Sequence, residues 1–261
     1  MFKELVPVSR ERHGEQRVRP LVSFEFARGF HLASVMMHEF SRAQAFNPIV
    51  FIDDSRNGVY RPVALFGLEA GENLFIDPVT AHWQAGAYIP AIIRRYPFAL
   101  ATTDQSDRYA ICVDEGSGHL DAHDGQAMFN ADGSPSETLE NVKRFLGELQ
   151  GMEEATREFC ATLARLELLR PLNLRVRDGE GARDIAGSYV VADERLEALD
   201  EATFLDLRAR RYLAPLYAHL GSLAQLERLV RAREARRQQP DTGAKSARTA
   251  KPRSRGASGR K

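Results

Sequence analysis

Cysteine is scarce in this chain. Cys112 and Cys160 are the only two, far apart and in no C-x-x-C pattern. No disulfide framework is indicated, and a reducing compartment is expected. Long apolar runs are missing as well, since none approaches the roughly 18–20 residues that span a bilayer. The opening residues, Met1-Phe2-Lys3-Glu4-Leu5, carry charge where a secretory signal needs its apolar core. The expectation is a soluble, cytoplasmic protein, with export by a route that uses no N-terminal signal as the other reading. G-x-S-x-G, P-loop and dinucleotide fingerprints are all absent, and Gly125 to Gly133 has the wrong spacing for a phosphate loop. Neither cysteine has a neighbouring base, so a thiol nucleophile lacks support. There is no internal repeat.

Net charge is also lacking, with 36 basic and 36 acidic side chains, but the balance is uneven along the chain. From Arg236 to Lys261 there are nine Lys/Arg against one Asp, a local net of +8, which leaves 27 basic and 35 acidic side chains in residues 1–235. An acidic body therefore carries a basic tail. The tail has no hydrophobic periodicity and is expected to be disordered. It could touch nucleic acid only nonspecifically through phosphates, because it lacks aromatics for base stacking.

What is present suits a sizeable core. The 261 residues are 43% hydrophobic, ordinary for a globular protein. Leu5 to Val8 reads as an edge strand because of Pro7, and Leu21 to Phe26 as another strand. Val35, Met36, Glu39, Phe40 and Ala43 recur at helical spacing and predict a helix over 32–45, stopped at Asn47-Pro48. The continuous run Ile49-Val50-Phe51-Ile52 predicts a strand buried on both faces. Asp53 to Gly58 would turn it into a returning strand over Tyr60 to Leu68. Leu74 to Ile76, Phe98 to Ala101 and Tyr109 to Val113 read as strands, Tyr88 to Arg95 as a short helix, and 114–133 as loop anchored by Met128-Phe129.

Ser134-Pro135-Ser136-Glu137 reads as a capping box, with Ser134 as the cap. The apolar spacing behind it predicts one long helix near 135–168, or two helices broken near Gly147 and Gly151. Leu172 to Arg177 and Ile185 to Val191 form a second predicted hairpin. Asp193 and Asp200 are candidate helix caps, and 213–230 the last helix. The fold class expected is α+β: a mixed or antiparallel sheet with two hairpins, packed by helices. The expected organisation is a sheet-rich lobe over 1–133, a helix-rich lobe over 134–235 and the tail over 236–261.

The stretch Leu74–Leu100 holds the single tryptophan, Trp83, three of the twelve prolines and the Arg94-Arg95 pair within an apolar run. Arginine there needs a carboxylate or an anionic ligand. Asp77, His82, Trp83, Tyr88, Arg94, Arg95 and Tyr96 are therefore the candidate ligand-binding set, with the rings as floor and the guanidinium groups clamping a peptide carboxylate. The competing reading is an internal salt bridge, to Asp77 or Glu39. His31, His38 and Glu39 give at most two converging zinc ligands. His119, His123, Asp114, Glu115, Asp121 and Asp124 could hold a divalent cation, but a solvated acidic loop explains them more simply. His219 reads as a core or helix-end histidine.

Several segments together resemble one bacterial family. They are Phe-Asn-Pro-Ile-Val-Phe at 46–51, Asn-Leu-Phe-Ile-Asp at 73–77, Trp83, Gly86, Tyr-Ile-Pro-Ala at 88–91 and Arg-Arg-Tyr-Pro-Phe at 94–98. Further along come Thr-Arg-Glu-Phe at 156–159, Leu168-Leu169, Val-Val-Ala-Asp at 190–193 and Tyr-Ala-His-Leu at 217–220. The combination is similar to the SapC-like proteins over about residues 4–230, leaving the tail outside. That family takes its name from a gene associated with a paracrystalline surface layer, and the resemblance implies a gene placed, as for many members, beside outer-membrane receptors, flavin-dependent tryptophan-halogenase-like proteins and cupin-like oxygenases. A permease label used for some members does not fit a chain with no spanning segment. It implies no catalytic residue and no cofactor. The function expected is a non-enzymatic binding or accessory protein that holds a peptide or protein segment for partner modifying enzymes or an outer-membrane system. The alternatives are a metal-dependent enzyme using His and Asp residues, or a surface-layer-associated protein.

Overall fold

A computed structural model describes residues 1–53, 59–102, 109–172, 174–178, 181–185 and 187–238. The architecture is α+β, and every strand pair among the described residues is antiparallel. The central sheet has five strands in the order Leu169–Pro171, Ser188–Val191, Ile49–Asp53, Tyr60–Leu65 and Leu32–Ser34. Its middle strand is the continuous apolar run. Ile49, Val50 and Phe51 are each fully buried, since strands lie on both sides and helices cover the faces. A second sheet joins Leu5–Pro7, Tyr109–Asp114 and Phe98–Thr102, with Pro7 on the edge as its missing N–H requires.

The long helix is unbroken from Glu137 to Arg165, 29 residues, or about 43 Å at 1.5 Å per residue. Gly147 and Gly151 do not interrupt it because both face open space: a methyl group at either would meet nothing within 4 Å. The cap is Ser136, whose Oγ accepts from the Leu139 amide at 3.3 Å. Ser134 and Pro135 lie outside the helix, so the cap falls two residues later than predicted, and with Leu139 at the third helical position no box closes. Phe159 projects from the helix into the core, 6.2 Å from Phe40, 6.5 Å from Phe51 and 5.1 Å from Tyr212 between ring centroids. That cluster joins four separate segments, and aromatic pairs at such distances add to area burial.

Several local expectations are corrected. Residues 32–45 are not one helix: Leu32–Ser34 is a strand on Val63–Leu65, Met37–Glu39 a 3-10 turn and Phe40–Ala43 one helical turn. The Leu21–Phe26 strand is replaced by a 3-10 turn at Glu25–Ala27. Leu74–Ile76 is reduced to a single bridge between Ile76 and Trp83. The second hairpin pairs Leu174–Asp178 with Gly181–Ile185, while Ser188–Val191 belongs to the central sheet. Asp200 caps its helix, but Asp193 is the first residue inside one. The last helical stretch is divided into Leu213–Ser222 and Gln225–Gln238.

The C-terminal helix thus includes Arg236 to Gln238, which the tail was expected to contain. Arg236 donates to the carbonyls of Asn73, Leu74 and Ile76 at 2.7, 3.3 and 2.8 Å. Arg233, almost wholly buried, pairs with Glu69 and Glu72. The rest of the expected tail, 239–261, and the loop at 54–58 lie outside the described residues.

Candidate functional site

The seven candidate residues fall into three places. Asp77 is at an exposed turn, where its Oδ1 accepts from the amides of Val79 and Thr80 at 2.9 and 2.7 Å and from the Thr80 hydroxyl at 3.0 Å. Those bonds, the Thr80 amide foremost, hold its carboxyl below the usual range. His82 is exposed beside it. Trp83 is in the main core, edge-on to Phe24 and Phe66 at 5.5 and 5.2 Å and stacked on Phe75 at 6.0 Å. No arginine stands over its ring among the described residues.

Arg95 and Tyr96 face the N-terminal strand. The Arg95 guanidinium lies over Phe2 at 5.5 Å, and its Nε is buried without a partner. Burial pulls its pKa down. Tyr96 stacks on Phe26 at 3.9 Å, and its hydroxyl donates to Asp114 Oδ2 at 3.2 Å. Burial, then the Asp114 charge, pushes that phenol up to about 12. Asp114 also accepts from the amides of Lys3 and Glu4 at 3.1 and 2.7 Å. Asp114 and Tyr96 therefore serve as a clasp for the N-terminal strand.

Tyr88 and Arg94 do come together. The Arg94 guanidinium lies 6.0 Å from the Tyr88 ring and 5.4 Å from the Phe145 ring of the long helix, and its Nε donates to the Ile89 carbonyl at 2.9 Å. The Tyr88 hydroxyl donates to Glu39 Oε1 at 2.6 Å. Burial, then that bond and charge, pushes the phenol up to about 12. Glu39 also accepts from the Ala91 amide at 2.8 Å, at the start of the helical turn Ala91–Arg94, and from the Met36 amide at 2.8 Å. Neither internal salt bridge forms: among the described residues Arg94 and Arg95 pair with no carboxylate within 4 Å, and Asp77 and Glu39 are occupied as described.

Two clefts meet at this point. The inner one, of about 370 Å³, runs between the Met37–Ala43 turns and the long helix, and includes His38, Glu39, Phe145 and Glu148. The outer one, of about 610 Å³, is floored by Ala45, Phe46, Ala87 and Ile89. Ser41, Arg42, Tyr88 and Arg94 line both. Arg42 and Phe46 are the residues that sequence reasoning missed. Phe46 is visible in the sequence only as part of the Phe-Asn-Pro segment, and Arg42 only as a position within the helix predicted over 32–45.

The metal candidates do not converge. His31 precedes a strand, His38 is exposed and Glu39 is turned to Tyr88. In the acidic loop Glu115 pairs with Arg12 and His13, and Asp121 with Arg19 and with the amides of His123 and Asp124. Among the described residues no group of three or more His, Cys, Asp or Glu side chains is placed to hold a metal ion. No described helix is long and apolar enough to cross a membrane.

A SapC family model matches residues 8–229, most of the chain. The chain belongs to the SapC family. No curated protein and no solved structure matches it. The clefts of this SapC chain, at 38–46, 86–94 and 145–152, lie wholly inside the matched span, and the basic tail lies outside it.

Proposed function

We propose that this SapC-family chain is a non-enzymatic binding protein that holds a peptide or protein segment in the paired clefts. One observation carries the reading. Arg42 and Arg94 stand where the two clefts meet, over an apolar and aromatic floor, and neither has an ion-pair partner among the described residues. A groove with an apolar floor and a few fixed polar groups is what an extended segment needs for affinity and orientation. Glu39 fixes Tyr88 and the Ala91–Arg94 turn, so the floor is preorganised and little ordering is left for the binding step.

The segment would be presented to partner modifying enzymes or to an outer-membrane system, in keeping with the gene surroundings that the resemblance implies. We place the protein in the cytoplasm, where two buried, unpaired cysteines fit a reducing compartment. Affinity capture from the native cell, read by mass spectrometry, tests the binding role. Wild-type protein should retain a partner that Ser41→Trp, which fills both clefts from an exposed position, does not. Equal recovery on both would place binding elsewhere. Cell fractionation tests the compartment, and protein recovered at the cell surface would contradict it.

A further inference from the structure

We propose that the segment held in the outer cleft is acidic, with carboxylates flanking an apolar side chain; this rests on reading the clefts as a peptide site. The outer cleft contains Arg42 and Arg94 and no acidic residue, whereas the inner one contains Glu39 and Glu148. An anionic ligand is therefore favoured on the outer side and opposed on the inner. A third cation is close by: the Arg228 guanidinium lies 5.7 Å from the Phe46 ring that floors the outer cleft. Elsewhere arginines such as Arg12, Arg19 and Arg210 are paired with carboxylates of the chain itself, but Arg42, Arg94 and Arg228 have no such partner among the described residues.

The mode of support matters as much as the charge. Arg94 is pinned by its bond to the Ile89 carbonyl and by two rings, so its planar fork is already ordered before a carboxylate arrives. Arginine held in this way recognises a carboxylate through paired N–H groups, and less entropy is lost on contact than for a free side chain. The floor of Phe46, Ala87 and Ile89 has no use for a bare anion. It is suited to an apolar side chain between the acids, which selects a peptide over inorganic phosphate.

The test uses the full-length protein and three fluorescein-labelled peptides read by anisotropy. They are Gly-Ser-Glu-Glu-Phe-Glu-Glu-Ser-Gly, the same peptide with Gln for every Glu, and the same with Lys for every Glu. The acidic peptide should bind about two- to thirtyfold more tightly than the Gln peptide, as expected for two exposed arginine–carboxylate pairs. Its binding should weaken steeply as salt is raised from roughly 50 to 500 mM. Arg42→Glu and Arg94→Glu, both at exposed positions, should abolish the preference, while Arg94→Lys should retain part of it. Circular dichroism melts establish that the variants fold. Equal binding of the Glu and Gln peptides, both blocked by Ser41→Trp, would overturn the acidic preference and leave the cleft standing as a peptide site. Tighter binding of the Lys peptide, or acidic-peptide binding untouched by Arg94→Glu, would also overturn it. Failure of all three peptides to bind would overturn this proposal together with the peptide-site reading.

Discussion

Glu39 and Tyr88 meet at 2.6 Å, carboxylate to phenol, and through that contact a buried acid with no ion-pair partner within 4 Å among the described residues anchors the floor of the clefts. Three donors, the Tyr88 hydroxyl and the amides of Met36 and Ala91, replace the water that the carboxylate gives up. Removing the acceptor leaves all three unpaired, so Glu39→Ala should lower stability by about 2–4 kcal/mol, against about 1 kcal/mol for Tyr88→Phe. Urea unfolding measures both. A loss from Glu39→Ala no larger than that from Tyr88→Phe would show that the carboxylate is not the anchor.

His219 gives the fold a defined acid response. Its ring is fully buried against Phe51 at 5.0 Å, and its Nε2 accepts from the Val191 amide at 3.0 Å. Burial pushes its pKa down from 6.5 to about 4. The unfolded chain therefore binds the proton first, so this stabilisation is complete above about pH 6.5 and is lost as pH falls towards 4. The loss amounts to about 3 kcal/mol. His219→Gln, which keeps an acceptor for Val191, should flatten the urea midpoint across that interval. His119, which burial also holds below 6.5, and Glu115, held below 4.5 chiefly by its bond with Arg12, respond in the same interval, so the variant should remove the His219 part of the slope and leave theirs. An unchanged slope in the variant would assign the acid response to other groups.

Much of the frame was legible because it rests on strong local patterns. Ile49 to Ile52 is a continuous apolar run, and residues behind Ser136 repeat at helical spacing for many turns. Where elements are only a few residues long, periodicity cannot separate a strand from a turn. Val35, Met36, Phe40 and Ala43 keep helical spacing although the chain passes from a strand through a 3-10 turn to a helical turn, because pairing of Leu32–Ser34 with Val63–Leu65 decides the backbone there. The site was half legible for the same reason. Arginines beside aromatics in an apolar run pointed to Tyr88 and Arg94. Arg42 and Phe46 join them only after folding brings residues 41–46 beside 86–94, and no local signal carries that. Trp83 enters the candidate set as the single tryptophan of the Leu74–Leu100 stretch, and the core with Phe24, Phe66 and Phe75 accounts for its place there.

The C-terminal helix is tied to residues 69–76 by two arginines of unlike kind. Arg233 is a buried cation paired with Glu69 and Glu72, while Arg236 satisfies backbone carbonyls of Asn73, Leu74 and Ile76. Breaking the buried pair leaves charge uncompensated, so Arg233→Ala should lose about 2–4 kcal/mol and Arg236→Ala about 1–2 kcal/mol. Hydrogen exchange should rise in 225–238 and in 69–77 together. Exchange rising in the helix alone would show that the two segments are not coupled.

Gly147 and Gly151 sit in the long helix with open space where a side chain would go. Each Gly→Ala should raise stability by about 0.5–1 kcal/mol, through helix propensity and the loss of unfolded-state freedom. Thermal unfolding of the single and double variants measures this. Destabilisation would mean that a bend at these positions is part of the folded state after all.

Hydrogen exchange of the protein with and without its captured partner decides whether the paired clefts hold it. Protection is predicted in residues 38–46 and 86–94, the two walls that Ser41, Arg42, Tyr88 and Arg94 share, and it should vanish with Ser41→Trp. Protection confined to the other large groove, of about 880 Å³ between Leu100, Ile111 and the long helix at Leu139 to Gln150, would contradict the account.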